Sequence, residues 1–208
     1  MIETPAFAFA QLLPFVTFAF VASITPGPSN LLILGNSVRY GFAAALPIVC
    51  GACAGSAALV LFVGFGAGAW LAAHPGVQTV MGWAGTLWLS YLAWQIACKP
   101  PADIRTAADR PTGGWMAAAL QIANPKSWSM ALAVVSVFAG ANADLPRYAF
   151  LSAVFLMVSA PCLTIWAVLG SRAGGRLRSA TSAKALNVIL GAALFASAWA
   201  GLLEHVRM

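Results

Sequence analysis

The chain has 208 residues, of which 61% are hydrophobic and 8% charged, with a net charge of +6 and a mean hydropathy of +0.86. A water-soluble domain of this size carries about 25% charged residues, so the composition excludes that class and places the chain in a lipid bilayer. The charge excess invites a nucleic-acid partner, but the basic residues fall mainly on one side of the apolar runs, an asymmetry that sets membrane orientation and accounts for the charge without nucleic acid.

In chain order, charge-poor runs cover roughly 7–37, 42–72, 77–97, 115–140, 147–170 and 184–203, each near or above the ~20 residues that cross ~30 Å of hydrocarbon as a helix. The first two exceed a straight crossing and are expected to tilt or bend. The runs are continuous and rich in Ala, Leu and Gly, unlike the short alternating segments of a β-barrel. The pattern predicts an all-α integral membrane protein with six transmembrane helices. Glu3 replaces the basic leader of a signal peptide, and the apolar run behind it is too long for one.

Proline interrupts the first and fourth runs at comparable places, as Thr25-Pro26-Gly27-Pro28-Ser29-Asn30 and Asn124-Pro125-Lys126-Ser127. Proline lacks an amide hydrogen and clashes with the carbonyl four residues back, which predicts released carbonyls at Ala22, Ile24 and Gln121. Thr25 and Asn124 precede proline as an N-cap precedes the first helical residue. Each break is thus expected to present a half-helix N-terminus with partial positive charge near the bilayer centre. Lys126 lies halfway along its run, where a lysine costs ~3 kcal/mol on insertion scales. Glu3, Asp103, Asp109, Asp144 and Glu204 all fall in loops, tails or segment ends, so its expected partners are backbone carbonyl, water or a substrate carboxylate.

The most polar linker, 99–114, separates a first three-helix repeat (1–98) from a second (115–208). Three is odd, so two repeats of one fold must enter the membrane from opposite faces: a 3+3 inverted repeat with interrupted helices 1 and 4. With six helices, Arg39, Lys99, Arg105, Arg110, Arg172, Arg176, Arg178 and Lys184 share one side and Arg147 and Arg207 the other. That asymmetry predicts cytoplasmic basic loops, a basic cytoplasmic linker and both termini outside.

Together, Thr25-Pro26-Gly27-Pro28 near the end of a first helix, Asn124-Pro125-Lys126 in a fourth, six spans and a basic central linker resemble the LysE/RhtB family of amino-acid exporters over the whole length. Trp83-Ala84-Gly85 through Trp94, with Tyr91 and Leu92 inside it, is similar to that family's third helix. The resemblance implies a multi-pass protein of the bacterial inner (plasma) membrane, a secondary transporter that exports amino acids or small derivatives coupled to the proton gradient. The family varies widely in substrate.

Residues and resemblance together put the substrate-binding site at Thr25, Pro26, Gly27, Pro28, Ser29, Asn30, Asn124, Pro125, Lys126 and Ser127. A zwitterion is expected with its carboxylate on Lys126 and on amides after Pro28 and Pro125, and its ammonium toward the freed carbonyls. The absence of an intramembrane acid favours neutral or small polar amino acids over cationic ones. Expected partners are this small molecule and the lipid bilayer, with no nucleic acid; a homo-oligomer is compatible with the pattern but not fixed by it.

Other features carry plainer readings. Pro14, Pro47 and Pro161 are kink or packing prolines, and the Gly51/Gly55 and Gly170/Gly174 pairs are close-packing spots. Trp70, Trp115 and Trp199 suit an interfacial belt, while Trp128, two residues from Lys126, is a candidate for the pathway. A rival function uses Cys50-Gly51-Ala52-Cys53 as the dithiol of a transmembrane thiol/disulfide electron carrier. Cys98 and Cys162 supply no matching pair. His74 and His205 stand at segment ends without metal or triad partners, and the Gly64–Gly68 run belongs to an apolar helix, not a phosphate loop. The chain is accordingly read as neither an enzyme nor a cofactor protein; a purely structural membrane subunit is the remaining alternative.

Overall fold

The computed structural model describes residues 5–98, 112–140, 143–174 and 180–207, and every element among them is helical. In order these are α1 (Pro5–Ile24), α2 (Pro28–Tyr40), α3 (Phe42–Phe62), a π-helical turn (Val63–Ala67), α4 (Gly68–Ala73), α5 (Pro75–Cys98), α6 (Gly114–Ala123), α7 (Pro125–Ala133), a second π-helical turn (Val134–Ala139), α8 (Leu145–Gly174) and α9 (Ala180–Arg207). Lys99, Arg105, Arg110, Arg176 and Arg178, together with Glu3, Asp103 and Asp109, lie outside the described residues.

Proline chemistry cuts the runs where the sequence predicts. The first run is two helices bent by 52° across Thr25 to Gly27, and the fourth divides at Asn124. Pro14, Pro47 and Pro161 lie inside α1, α3 and α8 without ending them. The second run bends at a point the sequence did not locate: Gly66 takes φ 111° and ψ −12°, a backbone region open chiefly to glycine, so the glycine-rich stretch kinks the helix between α3 and α4.

By length and apolar composition, Phe42–Ala73 and Leu145–Gly174 each suffice to cross a membrane, and the bent pair Leu12–Ile24 plus Pro28–Tyr40 makes a third when counted as one span. Gly114–Ala123 is a shorter apolar helix, and α9 carries an apolar stretch over Lys184–Ala200. A break leaves α6 and α7 each too short to cross alone, and polar side chains such as Gln78, Ser90 and Gln95 dilute α5.

α3 packs on α6 and α8, α8 also on α2 and α1, and α5 on α9. Glycines permit several of these approaches. A Cβ at Gly51 or Gly55 would stand 1.9 Å from Gly114 O or 2.8 Å from Ala118 O, and one at Gly170 or Gly174 would stand 2.6 Å from Leu34 O or 2.4 Å from Val38 O. These pairs therefore join α3 to α6 and α8 to α2, as close packing predicts.

Three apolar clusters fill the interior. Phe15, Val60, Ala131, Leu151 and Phe155 join α1, α3, α7 and α8, with Val63 and Val134 from the π-helical turns; Ile33, Ile48, Ala52, Ala117, Leu163 and Ala167 join α2, α3, α6 and α8; Leu31, Leu89, Ala93, Leu190 and Leu194 join α2, α5 and α9. Large apolar side chains also cover the outside, including Trp94, Trp115, Met157 and Ile189. An exterior of this kind is stable against lipid, not water.

One end of the bundle gathers the end of α2, the start of α6 and the start of α9. Arg39 donates to Asn187 Oδ1, and Thr112 N donates to Asn36 Oδ1 at 3.2 Å. Arg147, by contrast, donates to Phe138 O at 3.0 Å near the start of α8.

Candidate functional site

The two breaks meet. Lys126, the second residue of α7, reaches across to the first break, where its Nζ donates to Thr25 O at 2.8 Å. Its stem runs over Gly27: a Cβ there would lie 3.1 Å from Lys126 Cδ and 3.2 Å from Nζ. Gly27 is the extended N-cap of α2, with φ −163° and ψ 177°, and Pro28 is the first residue of the helix. The missing side chain at Gly27 is thus the space the lysine occupies.

Most carbonyls expected to be bare are answered by the protein. Trp166 Nε1 donates to Ile24 O at 3.2 Å, Asn30 Nδ2 to Ser23 O at 2.9 Å, and Asn124 N to Gln121 O at 3.3 Å. At the second break Trp128 Nε1 donates to Ile122 O at 2.8 Å. Away from water each broken helix turn needs such partners, which corrects the expectation that these carbonyls wait for a substrate ammonium. The amide of Lys126 is likewise occupied, because Asn124 Oδ1 accepts it at 3.1 Å in an N-cap.

Gln121, buried on α6, was singled out by the sequence for its carbonyl alone, yet its side chain is the hub of the polar interior. Its Oε1 accepts from Ser127 Oγ at 2.7 Å and lies 3.2 Å from Ser29 Oγ and 3.3 Å from Ser56 Oγ. Its Nε2 donates to Ser29 Oγ at 3.0 Å and to Ala117 O at 2.9 Å. One carboxamide therefore ties α2, α3 and α7 together. A small cavity of about 30 Å3 is lined by Ser23, Gly27, Ser29, Asn30, Cys53, Ser56, Gln121, Asn124, Lys126, Ser127 and Ser159. Ser23 Oγ is buried there without a hydrogen-bond partner, an open demand that buried hydroxyls seldom leave. Ser56 and Ser159 stand near the midpoints of Phe42–Ala73 and Leu145–Gly174, so the cavity lies halfway along the two longest apolar helices.

Of the sequence-predicted residues, Gly27, Pro28, Ser29, Asn30, Asn124, Lys126 and Ser127 line this cavity. Thr25 contributes its carbonyl to Lys126, while Thr25 and Pro26 are exposed on the far side of the break. Pro125 lies instead beside a separate hollow of about 40 Å3 lined by Gln78, Met81, Trp128 and Ser129. Trp128 belongs to that hollow and packs edge-on against Phe62 with centroids 6.2 Å apart, not in the polar cavity. Trp70 and Trp115 face outward, whereas Trp199 is half-buried and donates to Ser90 Oγ at 3.1 Å. Ser23, Ser56, Gln121 and Ser159 were missed because a single polar residue in an apolar run has no spacing signature; only their position facing the breaks marks them.

A much larger cavity of about 470 Å3 adjoins the polar one. It shares Pro28, Ser29 and Asn124 with it and extends along α2, α5, α6 and α9 to Asn36, Arg39, Tyr40, Gln95 and Thr112. Its volume falls within the ~300–1,000 Å3 range of small-molecule sites. The four cysteines are free thiols: Cys50 and Cys98 are exposed, and Cys53 and Cys162 buried.

The architecture is that of a helical membrane protein whose two interrupted helices bring a lysine and a buried carboxamide to one central hollow. The chain belongs to the LysE type translocator family, whose match spans residues 20–203. It is similar to the cysteine/O-acetylserine efflux proteins of Salmonella choleraesuis strain SC-B67 and Klebsiella pneumoniae subsp. pneumoniae, at 29% identity to each, and of Escherichia coli strain K12, at 27%. Each match covers 60% of this chain and 63% of the relative, under two thirds of the relative's length. No solved structure matches the chain.

Proposed function

We propose that this chain is a secondary transporter that exports small neutral or polar amino acids, cysteine and O-acetylserine among the candidates, from the bacterial cytoplasm by alternating access coupled to the proton gradient. The observation that carries the reading is Lys126 seated in the opposite break, beside a cavity that holds an unpartnered buried hydroxyl. The relatives' efflux activity supports the substrate class.

In this reading the substrate carboxylate draws Lys126 Nζ away from Thr25 O, and charge-assisted bonds replace a bond to a neutral carbonyl. The ammonium faces Gln121 Oε1 and the hydroxyls of Ser23, Ser29, Ser56 and Ser127. A cavity of about 30 Å3 is too small for an amino acid, so binding requires the two halves, 1–98 and 115–208, to part. Their inverted repeat is supported by the matched breaks and by the pairing of α3 with α8 and α5 with α9. The large cavity ends at Arg39 and Thr112, and charge asymmetry assigns Arg39 to the cytoplasmic side; the hollow at the other end of α5 is about 40 Å3. That inequality fits a state open toward the cytoplasm, with both termini outside.

Lys126→Met is expected to abolish export of labelled cysteine and O-acetylserine from loaded cells, with membrane insertion retained by immunoblot. Export at the wild-type rate from that variant removes Lys126 from the site.

A further inference from the structure

The 470 Å3 cavity holds a guanidinium that the central site does not use. Arg39 is the penultimate residue of α2, half-buried in the cavity wall, and it donates to the carboxamide oxygen of Asn187 on α9. Among the described residues no carboxylate forms a bond with it. An amide oxygen is a neutral acceptor, whereas the planar fork of arginine matches a carboxylate in two parallel, charge-assisted bonds. Asn36, Tyr40, Gln95 and Thr112 gather at the same end, while Leu31, Leu89, Leu92 and Leu194 line the stretch toward Pro28 and Ser29. Arg39 stands eleven positions after Pro28 along α2, about 16 Å at ~1.5 Å per residue. A small amino acid cannot touch Arg39 and Lys126 together.

We propose that Arg39 forms a separate docking subsite for the substrate's carboxylate, occupied before the substrate moves along α2 to Lys126. The carboxylate displaces Asn187 from the guanidinium, so docking also loosens the tie between α2 and α9. This rests on the export reading above and adds to it a first station, at which affinity for the carboxylate is set on the side where substrate is collected.

The test measures uptake of labelled O-acetylserine into everted membrane vesicles, so that substrate is offered at the cytoplasmic face. Arg39→Gln is expected to raise KM about tenfold, the size of one lost charge-assisted bond, with kcat little changed, and Arg39→Lys to recover part of the loss. Asn187→Ala removes the tie but keeps the charge and is expected to leave KM at or below the wild-type value. An unchanged KM in Arg39→Gln, or a KM rise in Asn187→Ala equal to that of Arg39→Gln, overturns the subsite and assigns Arg39 to packing. Absence of uptake by wild-type vesicles is a different failure, which overturns the export reading and the subsite with it.

Discussion

The break after α1 spreads over Thr25 to Gly27 and starts α2 from an extended glycine without a side-chain cap, whereas the break after α6 is confined to Asn124, whose carboxamide caps α7. The first break offers space and a carbonyl, and the second offers a charge on a helix start that is already satisfied. The matched prolines therefore conceal a division of roles. The capped helix fixes where Lys126 begins, and the uncapped glycine decides where its ammonium can go.

Substitutions at four further positions follow Lys126→Met, for which the largest loss is expected. Gln121→Leu leaves Ser29, Ser56 and Ser127 without the carboxamide they share, at a cost of about 1–3 kcal/mol per unsatisfied buried group. Export should fall at least tenfold and thermal unfolding in detergent should come earlier; a variant with wild-type export would reduce the hub to a spectator. Gly27→Ala places a methyl 3.1 Å from Lys126 Cδ, and because the lysine end is flexible the expected result is a several-fold rise in KM with the protein intact. Equal kinetics in Gly27→Ala would mean that the lysine has no need of that groove.

Asn124→Ala deletes the cap and should cost about 1 kcal/mol of stability, making the second break resemble the first, while Asn124→Ser should restore most of it. Thermal denaturation of both variants checks the pair. The smallest effect belongs to Cys50→Ser. Cys50 is exposed on α3 and lines neither cavity, so export should be unchanged, whereas a thiol relay through Cys50 and Cys53 would stop.

The breaks were legible in the sequence because proline acts locally: a missing amide and a ring clash end a helix whatever surrounds it. Lys126 was legible through the cost of its charge in hydrocarbon. Gln121 was not, since a carboxamide in an apolar run becomes a hub only when three other helices bring serines to it. The position of the bend at Gly66 was hidden for a related reason: glycine permits a positive φ without requiring it, and the same run holds Gly64 and Gly68 as equal candidates. The answering of the freed carbonyl of Ile24 by Trp166 depends on a tertiary contact that proline spacing does not encode.

In the proposed mechanism the ammonium of Lys126, held at the first break, receives the carboxylate of the transported amino acid. Calorimetric titration of cysteine and O-acetylserine into the detergent-purified protein measures that contact. Saturable binding is expected of the wild type, and loss of binding of Lys126→Met at unchanged monodispersity. Wild-type affinity in Lys126→Met would rule the lysine out as the carboxylate's partner.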